Sequence, residues 1–162
     1  MTEPFDIAGF RQALGRFATG VTIVTTIADG EVHGMTANSF TAVSLAPPLV
    51  LVSVDNRARM HRMLGQTGRY GISILHADQH EVSTHFAGRP IDGLAVDFEF
   101  REGMPMIAGA LAHLVCSIRN SIAAGDHTLH VGHVDEFHRQ DGPPLVFFGS
   151  RYGTVHAHGA TS

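Results

Sequence analysis

Hydrophobic and polar positions along this chain change period several times, and each change marks an element. Ile7, Phe10, Leu14 and Phe17 recur at helical spacing behind Asp6, a natural N-cap, so residues 6–16 read as one amphipathic helix weakened by Gly9 and Gly15. Residues 21–27 are dominated by β-branched side chains and predict a strand. Asp29-Gly30 then signals a two-residue hairpin into Glu31-Val32-His33. The stretch that follows has two halves of opposite character. Residues 35–44 carry small polar side chains, whereas 49–54 are an aliphatic run that predicts a strand buried on both faces. Pro47-Pro48 separates the halves, since proline cannot donate to a ladder. A rigid strand beside a small-residue polar segment suits a flat, partly polar ligand.

Beyond Asp55 the texture becomes helical and basic. Residues 56–64 hold Arg57, Arg59 and Arg62, with Asn56 or Asp55 as the cap. A helix that starts there offers free N–H groups to an anion, although a solvated basic face is the alternative. Residues 70–75 predict a strand, and 79–87 a short helix ending at Gly88. Residues 88–109 contain two prolines and little periodicity, and read as a long surface excursion. Residues 111–122 alternate, with Leu114, Cys116 and Ile118 on one side and His113, Ser117 and Arg119 on the other. Gly125-Asp126-His127 is a tight turn. Residues 128–137 form the partner strand, with a change of phase near Gly132 that suggests a bulge. A turn at 141–144 precedes a last strand at 145–148. Residues 1–155 read as one domain and 156–162 as a flexible tail. Six to eight strands, two or three short helices and no βαβ rhythm predict a mostly β fold, a closed or half-closed antiparallel barrel.

Composition narrows the function classes. The net charge of −4 carries no basic footprint for nucleic acid, and no apolar run approaches the ~20 residues of a membrane span. Residues 1–10 lack a secretory pattern, and the single cysteine, Cys116, excludes an internal disulfide, so a cytoplasmic location is expected. The chain has no lysine, only arginine, so any phosphate must be held by arginine or a helix N-terminus.

Twelve histidines invite a metal reading, which spacing rejects. His80 and His85 are five apart, about 140° around a helix, and cannot share a face. His127 and His133 share a strand face but lie ~20 Å apart, and His130 points the other way. No metal site is expected. Hydrolase elbows, P-loops and G-x-G-x-x-G fingerprints are all missing from the sequence.

Six motifs occur in order: Phe17-Ala18-Thr19-Gly20-Val21-Thr22-Ile23-Val24-Thr25, Gly34-Met35-Thr36-Ala37-Asn38-Ser39-Phe40-Thr41-Ala42-Val43-Ser44, Pro47 to Asp55, Phe86-Ala87-Gly88-Arg89, Gly125-Asp126-His127 and Arg151-Tyr152-Gly153. Together, from about Phe10 to Gly153, they resemble the short-chain flavin reductase family, reductase components of two-component flavin monooxygenases. The resemblance implies a homodimeric, six-stranded antiparallel split β-barrel of Greek-key type with a few flanking helices. It implies reduction of FMN or FAD by NADH or NADPH, with reduced flavin passed to a partner monooxygenase. It places Thr36, Ala37, Asn38 and Ser39 along the isoalloxazine edge and Ser53, Val54 and Asp55 along the ribityl chain. Arg59, Phe86 and Arg89 fall at the phosphate, and Asp126, His127 and Tyr152 where nicotinamide stacks, with His127 the catalytic position. The family usually carries serine or threonine near the start of the helix that here reads Ala58-Arg59-Met60, so Arg57 competes with Arg59 for the phosphate. A hydride transferred between two rings asks the protein only to stack and orient them, which a site of hydroxyls, backbone and one histidine can do. A flavin-storage or sensing module is the alternative, and such a module would have no use for Gly125-Asp126-His127.

Overall fold

The computed structural model describes residues 3–159. In chain order the elements are α1 (Ile7–Leu14), β1 (Thr19–Gly20), β2 (Thr22–Ala28), β3 (Glu31–Ala37), β4 (Thr41–Leu45), β5 (Pro48–Asp55), α2 (Arg59–Thr67), β6 (Arg69–Ile74) and α3 (His80–Phe86). β7 (Phe98–Arg101), β8 (Met104–Ile107), β9 (Ala112–Ala124), β10 (His127–Arg139), β11 (Val146–Phe148) and β12 (Arg151–Gly153) follow. Seven strands make one antiparallel sheet in the order β3-β2-β6-β9-β10-β5-β4. β1, β11 and β12 make a small second sheet, and β7 with β8 a hairpin. The fold is mostly β with three short helices, as expected. Two expectations change. The strands number twelve among the described residues, because short accessory strands add to the main sheet. That sheet has seven strands where six were expected, and its edges β3 and β4 are not paired with one another, so its hydrogen bonding does not show a closed barrel.

The core forms where β-branched residues face inward. Val50, Val52 and Val54 of β5 meet Val24, Ile72, Cys116 and Tyr70, with Met60 and Leu64 of α2 laid across them. Each such fully buried apolar side chain contributes about 1.5–3 kcal/mol over its exposed state. Leu49, Leu51 and Ser53 alternate with these valines and stay half-buried, so within one chain β5 is covered on one face, not two. The Asp29-Gly30 hairpin forms as expected, joining β2 to β3.

The stretch 88–109 is not a surface excursion. Its second half is the β7–β8 hairpin, in which Met104, Pro105, Met106 and Ile107 are all buried. Proline and methionine conceal the strand period there, and both neighbours of the hairpin are distant in sequence. The hairpin covers the second face of β9, where Val115 packs with Met104 and Met106. This is why His113 and Val115 are buried as well as Cys116 on the opposite side. β10 is bulged at Val131/Gly132, where the phase change was expected, and again at Val134/Glu136.

Helix ends follow local chemistry. Asp6 caps α1, accepting from the Gly9 N–H at 2.9 Å, yet no residue of α1 is buried. α2 begins at Arg59, later than expected, and has no side-chain cap. Asp55 is engaged instead by the Arg57 N–H and guanidinium, which fold residues 55–58 into a turn. α2 stops at Gly68, whose φ of 64° suits the left-handed conformation that glycine tolerates. Among the described residues no helix is long and apolar enough to cross a membrane. Residues 156–159 are exposed and carry no regular structure, and 160–162 lie outside the described residues.

Candidate active site

A groove of about 760 Å³ opens between the C-terminal end of α1 and the β3–β4 connection. Its apolar side is Leu14, Phe17, Phe40 and Ile74; its polar side is Thr19, Thr22, Asn38, Ser39 and Thr41. The size and lining match a site for a drug-sized flat ligand with one polar edge. Thr19 lines the polar side, although its Oγ1 is itself buried and has no hydrogen-bond partner among the described residues. Thr22 is already committed, its hydroxyl donating to the Ala37 carbonyl at 2.7 Å. Ser39 Oγ donates to the Ser53 carbonyl at 2.8 Å and accepts from the Ser53 N–H at 3.2 Å, so one side chain fixes the β3–β4 link against β5.

Asn38 also lines a second, smaller cavity of about 140 Å³, together with Thr36, Ser83, Phe147 and Tyr152. There the Thr36 hydroxyl donates to the Ser83 carbonyl at 2.6 Å, and Ser83 Oγ lies 2.8 Å from Tyr152 Oη. The hydroxyls thus link β3, α3 and β12 at the wall the two cavities share.

A charged corner stands at the joined ends of β5 and β10, where Asp55 and His127 are cross-strand partners. Arg57 chelates Asp55 with contacts of 3.1 and 2.8 Å. Hydrogen bonds from the Arg57 side chain and backbone hold the Asp55 carboxyl well below the usual carboxylate range. The Asp126 carboxyl is lowered too, first by its hydrogen bond with His127, whose Nδ1 is 2.7 Å from Asp126 Oδ1. An ionised carboxylate only accepts, so Nδ1 of His127 carries a proton and donates it to Asp126, which fixes the ring orientation and turns Nε2 away from Asp126. Asn56 locks the corner: its N–H donates to the Asp126 carbonyl at 3.0 Å and its Oδ1 accepts from Thr128 Oγ1 at 2.7 Å.

The structure brings part of the expected site together and leaves part apart. Thr36, Asn38, Ser39 and Tyr152 line the two cavities, Ser53 is hydrogen-bonded to Ser39 but lines neither, and Asp55, Asp126 and His127 make the corner. Ala37 and Val54 are in the core, so only their backbone can reach a ligand. Phe86 packs against the Phe98 ring and over Gly34, with the core cluster of Val21 and Ile23. Arg59 lines a separate hollow of about 210 Å³ with Arg62, and its guanidinium is paired with Glu31 at 2.7 Å. Arg89 is exposed beyond α3 and lines neither cavity. Thr19, Phe17 and Asn56 received no role from sequence; the signal for the first two lay in the Phe17-Ala18-Thr19-Gly20 motif. Among the described residues no group of three metal-ligating side chains converges.

The flavin reductase like domain model matches residues 14–156. This chain belongs to the flavin reductase family. It is 54% identical over 148 residues to an NADH-dependent flavin reductase of a Rhodococcus species, covering 90% of this chain and 84% of that one. It is 43% identical over 144 residues to the reductase component of 4-hydroxyphenylacetate 3-monooxygenase from Thermus thermophilus, covering 88% and 93%. The Streptomyces globisporus C-1027 NADH:FAD oxidoreductase, solved in complex with NAD and FAD fragments, superposes with a TM-score of 0.88 at 41% identity over 96% of each chain.

Proposed function

We propose that this protein is an NADH-dependent flavin reductase that reduces FMN or FAD and supplies reduced flavin to a flavin-dependent monooxygenase. The observation that carries the reading is the groove beside Asn38 and Ser39, apolar on one side and polar on the other, in a chain similar over most of its length to NADH-dependent flavin reductases. The residues fit the group: an apolar slot for a tricyclic ring, and hydroxyl, amide and backbone donors along one edge. Asn38 and Ser39 hold that edge, and Ser53 and Asp55 border the chain that leads from it. Both Arg57 and Arg59 are ion-paired, with Asp55 and Glu31 respectively, but Arg57 stands at the Asp55 corner whereas Arg59 lines a separate hollow, so Arg57 takes the phosphate. Bound flavin supplies the redox chemistry, accepting a hydride from the dihydronicotinamide and leaving in reduced form. His127 orients the nicotinamide carboxamide by a hydrogen bond at its Nε2 while Asp126 fixes the ring. No side chain needs to carry a proton in the transfer.

The same reading includes assembly and setting. Phe5, Ile7, Phe10, Leu14 and Phe17 form an exposed apolar stripe on α1 and its flanks, and Leu14 and Phe17 also wall the groove. A helix with an apolar stripe and no buried residue calls for a cover. A second copy of the chain supplies it, completing a homodimer of split-barrel protomers. A lone, buried Cys116 suits the reducing cytoplasm.

The deciding assay mixes the protein with NADH and excess FMN or FAD and follows the nicotinamide absorbance band. Turnover of NADH that depends on added flavin supports the reading. Flavin binding without NADH oxidation replaces it with flavin storage.

A further inference from the structure

Two histidines that the site does not use meet inside the molecule. His130 is three residues beyond His127 on β10, turned to the opposite face and only 2% exposed. His61 lies in the first turn of α2. Their ring centroids are 5.6 Å apart, with the planes inclined by 44°. His130 Nδ1 is 2.9 Å from Ser121 Oγ, but its Nε2 is buried without a partner, and so is Nδ1 of His61. A buried polar nitrogen without a partner is costly to fold, so two of them side by side call for a role.

We propose that His130, through its contact with the His61 ring, is a positioning residue that seats α2 against the barrel wall and thereby sets the corner where flavin binds, and that its hold requires a neutral His130 ring. The proposal rests on the flavin-reductase reading and goes beyond it. α2 starts four residues after Asp55, and the intervening turn carries Arg57 and Asn56, which connect to Asp55, Asp126 and Thr128. Met60 and Leu64 fasten the helix by apolar contact, and the imidazole pair adds a ring contact in the same turn. His130 Nε2 and His61 Nδ1 have no hydrogen-bond partner among the described residues, so while His130 is neutral the two rings meet by packing. Once His130 is protonated, its Nε2 becomes a charged N–H donor in a buried place with no acceptor, and α2 is pushed outward with the Asp55–Arg57 turn.

The groups around the pair do not supply a countercharge. β5 presents Val52 opposite His130, and β9 presents Ser121. Tyr70 of β6 donates its hydroxyl to the His130 carbonyl, and burial keeps it a neutral phenol. Burial likewise pushes the Cys116 thiol up to about 12, so it too is neutral. On α2 itself the flanking charges are Arg59, paired with Glu31, and Arg62, both positive. Burial first, and His61 second, lower the pKa of His130.

The test measures flavin dissociation constants by fluorescence quenching, and thermal unfolding, from about pH 8 to about pH 5, a span carried below the ordinary histidine range because burial lowers the pKa of His130. The wild-type chain is compared with His130→Phe, which keeps the volume, and with the double variant His61→Leu/His130→Phe, which leaves no orphan nitrogen. Wild-type flavin affinity is expected to fall about 3- to 10-fold over that range, the scale of a pKa change of up to one unit. At least one folded variant is expected to flatten both profiles. A variant that flattens the unfolding profile but keeps the wild-type fall in affinity overturns the positioning role. Variants with both profiles unchanged overturn the pair as the titrating device. If the wild-type chain binds no flavin at about pH 8, the flavin reading itself fails and takes this one with it.

Discussion

Ser39 and Ser53 are tied by one hydroxyl that donates to the Ser53 carbonyl at 2.8 Å and accepts from its N–H at 3.2 Å. That pair of bonds is the joint at which the polar β3–β4 link is pinned to the rigid strand β5. Replacing Ser39 with alanine leaves a half-buried N–H and C=O of β5 short of a partner, at a cost of about 1–3 kcal/mol. Ser39→Ala is therefore expected to lower the urea midpoint and to weaken flavin binding together. A variant with wild-type flavin affinity would remove the link from the site.

His127 tests the nicotinamide assignment. Losing one hydrogen bond of this kind costs about 1–2 kcal/mol, or roughly 5- to 30-fold in kcat/KM for NADH. His127→Ala is expected to stay folded and to bind oxidised flavin normally while reducing it more slowly. Asp126→Asn is expected to give a smaller loss, because the amide can still accept from Nδ1 through its oxygen. Steady-state kinetics with NADH as the varied substrate decides. An unchanged rate in His127→Ala would make the histidine a turn residue only.

Arg57 and Arg59 can be separated by ligand choice. Arg57→Ala is expected to weaken FMN by about 1.5–3 kcal/mol, the range for hydrogen bonds to charged groups, and to leave riboflavin nearly unaffected. Arg59→Ala is expected to change neither, since Arg59 lines a separate hollow with Arg62 and Glu31. The opposite order in fluorescence titrations would return the phosphate to Arg59, as the family resemblance implied.

His113 makes the β7–β8 hairpin sensitive to acid. Its Nε2 is 2.8 Å from the Ile107 carbonyl, so Nε2 carries the proton, and Nδ1 accepts from Arg101 Nε at 3.0 Å. Burial lowers its pKa most; Glu99 pulls the other way, but that carboxylate is already held by Arg101 at 3.1 and 2.7 Å. A histidine with a lowered folded pKa binds fewer protons folded than unfolded. Its stabilisation is therefore complete above the ordinary value of 6.5 and declines as the pH falls below it. Protection factors for amide exchange at Met104, Met106 and Ile107, corrected for the intrinsic exchange rate at each pH, are expected to fall between about pH 7 and pH 5, and to lose that dependence in His113→Gln. Protection factors that do not change with pH in the native chain would refute the clamp.

Assembly has its own measurement. Light scattering at micromolar concentration is expected to give twice the 17.4 kDa chain mass, and Phe10→Asp on the exposed stripe to shift it toward the monomer. A native monomer that binds flavin tightly would exclude the second subunit from the site.

Much of this protein was legible from local pattern. Asp6 caps α1, Asp29-Gly30 turns the β2–β3 hairpin, and Gly88 and Gly125 mark ends where φ is positive, because each rests on chemistry within a few residues. The polar segment 36–39 and the corner 125–127 also stand where the motifs put them, since both are strand ends fixed by turns. What tertiary structure alone decided is how distant pieces cover one another. Met104-Pro105-Met106-Ile107 has no strand period of its own, and became a strand because β9 offered a second apolar face. Ser39 met Ser53, and Asp55 turned to Arg57 and so delayed α2, through hydrogen bonds whose partners no spacing rule selects. Arg59 was assigned to a phosphate by its place at a helix start, but Glu31, 28 positions away in sequence, claimed it across the hairpin end. Local signals fix torsions and caps; side-chain partners depend on which faces the sheet brings within a few ångströms, and that follows only from the packed whole.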